Sequence, residues 1–504
     1  MTARQFGLSK SRITAFEQCP RKLWLSVHRP EQAVRSAASM ARMNLGNEAG
    51  AIARTAAPGG RLIETQQNLT AALEETNALI KAGWDKPIYE ATFAYSSVLV
   101  QADILEPLGN GTWTLGEVKS STSVKDYHLG DLATQVWVLN NAGLSIASAE
   151  IWHINTNFVL GAVGQYGGLF VRSPQLASIK SVIGNRAQTV LNALSTLQSA
   201  EPDVELGAHC SSPFECEFQA YCARKLPPGP EWPIALLPYV GKRLASEWAI
   251  RGIADLRELP EWALKKEQHQ VVQRATITGE TFLNRDGALR DTAKWKWPRH
   301  FLDFETIASP IPRWVGTSPY QQVPFQFSCH SQSEARTVSH SEFLSRDDAD
   351  PRRPLAEKLI EVLCYGEAAE GTIIAYNAPF ERRCVRELAA SLPDLAPQLR
   401  DIEARIVDLL PVARANYYHR DQRGSWSIKS VLPTIDPSLS YSDLVIGNGE
   451  LAQVRWLEAI SDALPLEARH EIFDALLRYC KQDTWAMIVV ADALLGGPPT
   501  AAAT

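Results

Sequence analysis

Two stretches rich in β-forming residues stand close together in the first third of the chain. Residues 98–106 and 112–120 are dominated by Val, Leu, Ile, Thr and Trp, and the pair Asn110-Gly111 lies between them. An Asn-Gly pair between two such runs is a strong signal for a tight hairpin turn. Residues 131–144 then carry apolar side chains at helical spacing. The pattern predicts two antiparallel strands followed by a helix.

The last two fifths of the chain mix strands and helices in the same way. Residues 300–306 predict a strand, and residues 372–377 predict another strand that leads into a helix over 379–392. Pro379 stands at a favoured first position of that helix. A long helical pattern follows at 466–496. Strands and helices mixed in both parts of the chain indicate an α/β or α+β fold, and we expect the α/β class.

A run of Pro and Gly at residues 226–233 interrupts the chain and marks a boundary between domains. The sequence therefore predicts a first domain at 1–225, a small helical middle region at 226–297, a second large domain at 298–496 and a flexible tail at 497–504.

The middle region offers a weaker signal for nucleic-acid binding. Residues 237–245 followed by 252–259 resemble a helix-hairpin-helix, whose backbone N–H groups could bind a phosphate. A plain helical spacer fits the same residues equally well, because the doubled glycine of a typical hairpin is missing. Trp295 and Trp297, flanked by cations, could stack on bases or pack between domains.

Composition excludes several classes of protein. The chain has 504 residues, of which 45% are hydrophobic and 21% charged, as in ordinary globular proteins and unlike disordered chains. The net charge of −6 excludes a basic field over the whole surface, so any nucleic-acid binding must use local patches. No apolar run reaches the roughly 18 residues of a membrane helix, and the N-terminus lacks the apolar core of a signal peptide. We expect a cytoplasmic protein without membrane contact.

Three polar residues of the predicted hairpin form the first candidate site. Glu117 and Lys119 lie two positions apart on one strand, so both side chains point to one face, and Asp103 lies on the partner strand. Two carboxylates can bind Mg²⁺ or Mn²⁺, which activates a water beside a phosphate, and a lysine can offset the developing negative charge. A cross-strand ion pair on an exposed strand face is the alternative.

Glu90 before the hairpin and Gln135 after it complete the order E…D…ExK…Q. This order resembles the PD-(D/E)XK restriction-endonuclease-like fold of RecB-like exonucleases. The resemblance implies that Asp103 and Glu117 bind the metal, that Lys119 is catalytic, and that Gln135 positions substrate or lysine. One departure is Gly50, which stands where the family often has a metal-binding His.

Four of the eight cysteines form the second candidate site. Cys210, Cys216 and Cys222 are evenly spaced, and Cys19 lies far upstream. Four thiolates are the usual complement of a [4Fe–4S] cluster or a structural zinc, and the spacing favours iron–sulfur. Unrelated buried thiols are the alternative. The one-plus-three arrangement resembles the iron–sulfur staple of CRISPR-adaptation exonucleases and AddB-type nucleases, which implies a structural cluster.

Acidic residues far apart in the last domain form the third candidate site. Asp303 and Glu305 lie two positions apart on a predicted strand, Glu381 lies at a strand-to-helix turn, and Tyr479 and Asp483 lie one helical turn apart. Four such acids can hold two metals about 4 Å apart, which clamp the attacking and leaving oxygens of a phosphoryl displacement.

This third pattern resembles the tyrosine subtype of the DEDD exonucleases, which have a ribonuclease H-like fold with a mixed sheet. The resemblance implies that Asp303, Glu305 and Asp483 bind metal and that the Tyr479 hydroxyl orients the attacking water. Glu381 departs from the Asp that the family usually has, and Asp408 is a fallback fourth acid.

The order of all three sites is similar to an uncharacterised bacterial family that joins a RecB-like iron–sulfur nuclease domain to a ribonuclease H-like domain. Residues 8–24, 319–326 and 424–433 carry this resemblance. We expect a metal-dependent nuclease, in the first place a DNA exonuclease acting on single strands or free ends, with a helicase or another protein as a potential partner. An RNA exonuclease, or a binding or scaffold protein with degenerate sites, is the alternative.

Overall fold

The computed structural model describes residues 7–35, 37–64, 68–441, 444–461 and 463–497. The chain forms two compact units, and each is discontinuous in sequence. The first unit comprises Met1–Pro227 and Ser309–Gln321, and the second comprises Pro228–Ala308 and Gln322–Thr504. The predicted middle region at 226–297 therefore lies almost wholly within the second unit. Of the predicted tail, residues 498–504 lie outside the described residues.

The first unit is a mixed sheet with helices packed on it. Its strands are β1 (Leu8–Ser9), β2 (Arg61–Leu62), β3 (Ile88–Tyr95), β4 (Val98–Pro107), β5 (Thr112–Lys119), β6 (Ser145–Ile154) and β7 (Phe170–Pro174). Its helices are α1 (Lys10–Gln18), α2 (Pro20–His28), α3 (Ala37–Ala56), α4 (Leu69–Lys81), α5 (Asp126–Asn141), α6 (Lys180–Gln198) and α7 (Gln219–Ala223).

The strands of this unit follow the order β2-β3-β4-β5-β6-β7, and β1 pairs with β4. Strands β3, β4 and β5 are antiparallel neighbours, whereas β5 and β6 are parallel. The predicted hairpin is confirmed as β4 and β5. Asn110 Oδ1 accepts a hydrogen bond from the Thr112 backbone at 3.0 Å, and Gly111 adopts a positive φ of 81° in the turn.

Helix α5 is the central element of the first core. Its apolar side chains, such as Leu132, Val136 and Leu139, are fully buried against the sheet. The helix was predicted at 131–144, but it begins five residues earlier, at Asp126, and ends three residues earlier, at Asn141. Its start was missed because the polar first turn carries no apolar periodicity. Helix α5 is buried on nearly all sides, so the positions of its buried polar side chains, including Gln135, are set by the packing around them.

The second unit also combines a mixed sheet with helices. Its strands are β8 (Phe282–Leu283), β9 (Arg299–Ile307), β10 (Val323–Gln332), β11 (Val338–Leu344), β12 (Thr372–Ala375), β13 (Ile406–Asp408) and β14 (Tyr417–Tyr418). Its helices are α8 (Gly241–Ala249), α9 (Glu267–Thr278), α10 (Arg285–Asp291), α11 (Arg352–Leu363), α12 (Pro379–Ser391), α13 (Ala396–Arg405), α14 (Leu409–Asn416), α15 (Ile428–Ile435), α16 (Gly449–Ile460) and α17 (Leu466–Leu495).

Five strands of this unit follow the order β11-β10-β9-β12-β13. The pairs β11–β10 and β10–β9 are antiparallel, and the pairs β9–β12 and β12–β13 are parallel. The predicted strands at 300–306 and 372–377 are confirmed as β9 and β12, and the helices predicted at 379–392 and 466–496 as α12 and α17.

Helix α17 crosses the sheet of the second unit and is fixed to it by polar contacts as well as apolar packing. The Thr484 hydroxyl is hydrogen-bonded to Ser328 and lies 2.8 Å from Nδ1 of His330, both on β10. Gln326 Nε2 donates to the Leu476 carbonyl oxygen at 2.9 Å. These contacts set the position of the helix against β9 and β10, and with it the position of Asp483.

Both units are mixed α/β structures, as the alternation of strand and helix patterns predicted. Within the described ranges, every helix is too short or too polar to serve as a membrane span.

Candidate functional site

Three carboxylates of the second unit meet at one point, which we call the acidic centre (Asp303, Glu305 and Asp483). Asp303 and Glu305 lie two residues apart on β9 and leave the same face of the strand. Asp483 lies on α17, which packs against β9. One ligand atom from each of the three residues lies within 4.8 Å of the others. Carboxylate oxygens at this spacing are suited to share a hard divalent cation.

Burial of these acids raises their pKa values. Burial and the neighbouring Asp483 raise the pKa of Glu305 to about 8. The same two causes raise the pKa of Asp303 well above its usual value. Burial also raises the pKa of Asp483, although a hydrogen bond from Tyr441 and the charge of Lys429 oppose it. The three carboxylates repel one another when they are ionised, and a cation bound among them would offset that repulsion.

Tyr479 lies one helical turn before Asp483 on α17, as predicted, and its hydroxyl has a cationic partner that sequence reasoning missed. Lys429 Nζ donates to the Tyr479 hydroxyl at 2.9 Å and to the Gly447 carbonyl oxygen at 2.6 Å. Tyr441 is a second missed residue, and its hydroxyl donates to Asp483 Oδ1 at 2.6 Å. The available signal for Lys429 was its place within 424–433, one of the stretches on which the family resemblance rests.

A thiol also contacts the acidic centre. Cys480, fully buried on α17, lies with its Sγ 3.6 Å from Asp303 Oδ2. Sequence reasoning gave this cysteine no role beyond filling the core. This contact helps to hold the Asp303 carboxylate in position.

Glu381, the predicted fourth acid, lies near the acidic centre but outside the group of three. It is 3% exposed in the first turn of α12, and its Oε2 has no hydrogen-bond partner within the described part of the chain. Helix α12 packs against β9, and after burial and the nearer acids the charge of Glu381 also raises the pKa of Asp303 and of Glu305. Burial raises its own pKa to about 8. Asp408, the fallback acid, instead accepts hydrogen bonds from the backbone of Asn377 and Leu410 at 3.0 Å each.

A cavity of about 530 Å³ opens beside the acidic centre. Asp303 and Asp483 contribute acidic groups to its wall, and Arg414 and Lys429 contribute cations. A volume of this size is typical of sites for small organic ligands. The rest of the lining is formed by Tyr376, Asn377, Leu410, Ser425, Trp426, Ser427, Ile428 and Met487.

The hairpin of the first unit brings Asp103 and Glu117 together. Asp103 Oδ2 accepts a hydrogen bond from the Val118 backbone at 2.7 Å. Burial and the charge of Glu117 raise the pKa of Asp103 to about 7. Lys119 Nζ lies 2.9 Å from Glu117 Oε1, so the predicted placement of these two side chains on one strand face is confirmed.

Helices α1 and α5, which pack against each other, complete this site. Gln135 Nε2 on α5 donates to Glu117 Oε2 at 2.6 Å, and Lys119 Nζ also donates to Asp131 Oδ2 at 2.8 Å. Lys10, which sequence reasoning missed, donates from the start of α1 to Glu117 Oε1 at 2.6 Å. Burial would raise the pKa of Glu117, but the charges of Lys10 and Lys119 outweigh it and lower that pKa.

Glu90 lies at the edge of this site. Its φ of 56° is left-handed, and its side chain lies 3.8 Å from Arg54 of α3. Burial raises the pKa of Glu90, although the positive charges of Arg54 and Lys10 oppose that rise; the charge of Glu117 adds to it. Gly50 lies one turn before Arg54 on α3, and a side chain built there would meet nothing within 4 Å.

All four candidate cysteines line one cavity of the first unit. Cys19 lies at the junction of α1 and α2, and Cys210 ends a short 3-10 helix (Ala208–Cys210). Cys216 lies in the loop that follows, and Cys222 lies on α7. Burial raises the pKa of Cys216 and of Cys222, and Cys19 adds a smaller contribution in the same direction to both. Four thiols that line one cavity match in number the ligand set of an iron–sulfur cluster or a zinc ion. Among the described residues, ligand atoms within 4.8 Å of one another occur at the acidic centre and not at these cysteines.

Direct contacts join the beginning of the chain to this cysteine segment. Gln18 Nε2 donates to the His209 and Phe214 carbonyl oxygens at 2.7 Å each. Arg21 donates to the Pro202 and Val204 carbonyl oxygens at 2.7 and 2.8 Å. Arg21 and Lys22 also line the cysteine cavity, where their charges would offset those of four thiolates.

Comparison with known proteins finds similarity that carries no stated activity. Residues 300–427 match a family model described as a domain of unknown function (DUF2779). This range includes Asp303, Glu305 and Glu381 and excludes Tyr479 and Asp483.

The names of three curated relatives describe them as uncharacterised proteins. A protein of Mycoplasma pneumoniae is 25% identical over 213 residues, which are 39% of this chain and 32% of that protein. Proteins of Mycoplasma genitalium and Ureaplasma parvum are 24% and 26% identical over similar shares, 39% of this chain and 32% and 31% of theirs. The chain spans about a third of the length of the curated relatives it matches.

Proposed function

We propose that the protein is a metal-dependent nuclease that hydrolyses phosphodiester bonds, acting as an exonuclease on DNA. The observation that carries the proposal is the acidic centre, where Asp303, Glu305 and Asp483 place ligand atoms within 4.8 Å of one another. Acids buried together at this density are costly unless a cation joins them. The adjoining cavity, with Arg414 and Lys429 in its wall, supplies positive charge where a phosphate would lie.

The chemistry of the acidic centre suits Mg²⁺ or Mn²⁺, and Asp303, Glu305 and Asp483 are the residues that would hold it. When bound, such an ion activates a water and stabilises charge on the phosphate oxygens. The Tyr479 hydroxyl, which accepts a hydrogen bond from Lys429, would orient the attacking water. Glu381, with an unpartnered buried oxygen, is the candidate for a second ion.

The architecture of the second unit supports a ribonuclease H-like fold. A mixed sheet carries the first two acids on its central strand β9, and the last acid comes from the long helix α17. This is the arrangement that the resemblance to DEDD exonucleases implies.

The first unit supports a second hydrolytic site of the PD-(D/E)XK type. Asp103 and Glu117 would bind the metal there, Lys119 would offset charge on the phosphate, and Gln135 holds Glu117. A binding role for this unit is the competing proposal. It is favoured by Lys10 and Lys119, which already neutralise Glu117.

The four-cysteine cavity supports a [4Fe–4S] cluster with a structural role, and a zinc ion is the alternative. The cluster would join residues about 190 positions apart, from Cys19 to the segment 210–222. Metal analysis and the visible charge-transfer absorption of protein purified without oxygen distinguish iron–sulfur from zinc.

The nuclease proposal is tested by incubating the protein with Mg²⁺ or Mn²⁺ and end-labelled single-stranded DNA, duplex DNA and RNA. We expect Asp303→Asn and Asp483→Asn to abolish cutting by the second unit. Glu117→Gln and Lys119→Met report on the first unit in the same assay. The exposed acids Asp474, on the same helix as Asp483, and Glu74 provide matched controls as Asp474→Asn and Glu74→Gln.

Which variants lose cutting activity distinguishes the proposed function from its alternatives. Absence of cutting by the unmutated protein on every substrate would overturn the proposal in favour of a binding or scaffold protein. Cutting that depends on Asp303 and Asp483 alone would make the first unit a binding domain. Cutting of RNA without cutting of DNA would make the second unit an RNA exonuclease.

A further inference from the structure

Cationic and aromatic side chains border the cavity beside the acidic centre. Arg414 lines the cavity, and its guanidinium carbon lies 6.0 Å from the centroid of the Tyr239 ring. Tyr239 is 80% exposed, an unusual position for a large ring. It therefore offers a free aromatic face next to a cation that reaches into the cavity.

Two further arginines extend this border away from the cavity. The guanidinium carbons of Arg420 and Arg423 lie 5.9 and 5.1 Å from the centroid of the Trp232 ring. Trp232 is buried, whereas both arginines are exposed. Stacking on the indole holds each guanidinium in place while its N–H groups remain accessible. We call Tyr239, Arg414, Arg420 and Arg423 the basic rim.

The basic rim is built on two backbone segments that are fixed to each other. A Cβ atom at Gly424 would lie 1.8 Å from the Leu236 carbonyl oxygen, so these backbones are in direct contact. Arg423 Nη2 donates to the Glu231 carbonyl oxygen at 3.2 Å. The chain continues from Arg423 directly into Ser425–Lys429, which line the cavity. The rim and the cavity wall thus share one continuous stretch of chain, which is fixed against the segment around Leu236.

Positive charge on the rim is left uncompensated by ion pairs. Among the residues that the structure describes, no carboxylate forms an ion pair with Arg414, Arg420 or Arg423. Asp421, which lies between two of them, is exposed and instead lies 3.6 Å from Nδ1 of His419. In a chain of net charge −6, such a cluster marks a local site for an anion.

We propose that the basic rim binds a single strand of polynucleotide and leads its end to the acidic centre. Arginine pairs with phosphates, and an exposed ring stacks on bases that are not already paired within a duplex. The rim therefore offers one exposed ring for a base and three cations for phosphates. The inference rests on the proposed function for the role of the acidic centre, but the binding itself is measured without it.

The experiment measures binding of fluorescent oligonucleotides to the full chain by anisotropy, without divalent metal, so that nothing is cut. Single-stranded DNA, single-stranded RNA and duplex DNA of equal length are compared. We expect Tyr239→Ala to weaken single-strand binding about fivefold or more, as loss of one stacked base does. We expect the double variant Arg420→Gln/Arg423→Gln to reduce the slope of log affinity against log salt by about 1.4.

Matched controls come from other exposed residues of the same unit. Tyr365 is 65% exposed and Arg400 is exposed on α13, and neither belongs to the rim. Tyr365→Ala and Arg400→Gln should bind like the unmutated protein. Melting curves of all variants verify that exposed substitutions leave the fold intact.

Each outcome decides the inference. Unchanged single-strand affinity and salt slope in both rim variants would overturn it, even if the protein cuts DNA. Equal losses for duplex and single strands would overturn the preference for a single strand. Loss of single-strand binding in a protein that cuts nothing would support the rim and defeat the nuclease proposal, so the two failures are distinguishable. The DNA and RNA arms identify the strand.

Discussion

Lys429 is the side chain whose loss tests the arrangement around Tyr479 most directly. Its ammonium donates to the Tyr479 hydroxyl, and the side chain lines the cavity. Its positive charge also opposes the rise in the pKa of Asp483 that burial causes. We expect Lys429→Met to lower kcat of metal-dependent cutting by roughly 10²- to 10³-fold, the usual cost of removing one group that stabilises a transition state. Steady-state kinetics on a labelled strand measure it.

A conservative variant and a remote lysine serve as controls for Lys429. Lys429→Arg keeps the charge and should recover part of the rate, and Lys265→Met removes an exposed lysine elsewhere in the second unit. A Lys429→Met enzyme with a raised KM and unchanged kcat would contradict a role at Tyr479. Such a result would place the lysine in substrate binding alone.

The raised pKa values of the acidic centre make stability depend on pH when no metal is present. The pKa of Glu305 rises from its usual 4.5 to about 8 on folding. Its protonated form therefore stabilises the folded state fully at pH below 4.5, and this contribution is lost as the pH rises through 8. We expect the second unit of metal-free protein to lose a few kcal/mol between pH 5 and 8, at about 1.4 kcal/mol per pKa unit.

Calorimetric melting with a chelator across this pH range measures the effect. Saturating Mn²⁺ should remove it, because the cation replaces the protons that the acids release. Glu305→Gln should flatten the pH dependence, and Glu334→Gln, at an exposed acid of the same unit, should not. A melting temperature that rises between pH 5 and 8 without metal would show that these acids are not buried together.

Helix α1 connects two candidate sites of the first unit within nine residues. Its first residue, Lys10, contacts Glu117, and Cys19 follows its last residue. Thr14 in the middle donates to Asp131 Oδ1 at 2.7 Å. Loss of the proposed cluster should therefore free α1 from the cysteine segment and withdraw Lys10 from Glu117.

We expect Cys216→Ser to lose bound metal and to destabilise the first unit by about 3–5 kcal/mol, the range for removing a cross-link across a long loop. Hydrogen exchange measured by mass spectrometry should show faster exchange in α1, α7 and β5 and unchanged exchange in the second unit. Cys364→Ser replaces a half-buried thiol of the second unit and should leave the metal content unchanged. Full metal content and unchanged protection in Cys216→Ser would reject the cluster.

Local pattern was sufficient to predict the elements that carry most of the candidate sites. The turn at Asn110-Gly111 and the apolar runs beside it set the β4–β5 register, which places Asp103 beside Glu117. The i, i+2 spacing on β9 likewise predicted that Asp303 and Glu305 share a face. These features depend on neighbours in sequence, so a single chain reveals them.

Other site residues come from elements whose approach depends on tertiary packing. Lys10 reaches Glu117 across 107 positions, and Lys429 reaches Tyr479 across 50. A lysine at the start of a helix is common on protein surfaces, and nothing in its local sequence distinguishes one that folds onto a carboxylate. Such partners become visible only when the distances are known.

The division of the chain into units does not follow its linear order. Residues 309–321 connect β9 to β10 of the second unit, yet they pack within the first unit. Gly316 N donates to the Leu160 carbonyl oxygen at 2.8 Å, and Leu160 N donates to the Thr317 carbonyl oxygen at 3.0 Å. Composition and breaker residues marked the boundary near residue 227. They do not indicate that a later segment, 309–321, packs back into the first unit.

Ile311 tests this interleaved organisation. It is 1% exposed and packs in a cluster with Phe158, Leu160 and Leu169 of the first unit, although it lies between two strands of the second. We expect Ile311→Ala in the full chain to cost the first unit about 2–5 kcal/mol, as large-to-small core substitutions do.

The position of the lost protection identifies the unit to which Ile311 belongs. Hydrogen exchange should quicken in β6 and β7 and stay unchanged in β9 and β10, the strands adjacent to Ile311 in sequence. Val323→Ala, a buried residue of β10 only 12 positions later, should give the opposite pattern. Faster exchange in β9 and β10 with Ile311→Ala would show that Ile311 stabilises the second unit. The only boundary between the units would then be the proline-rich run near residue 227.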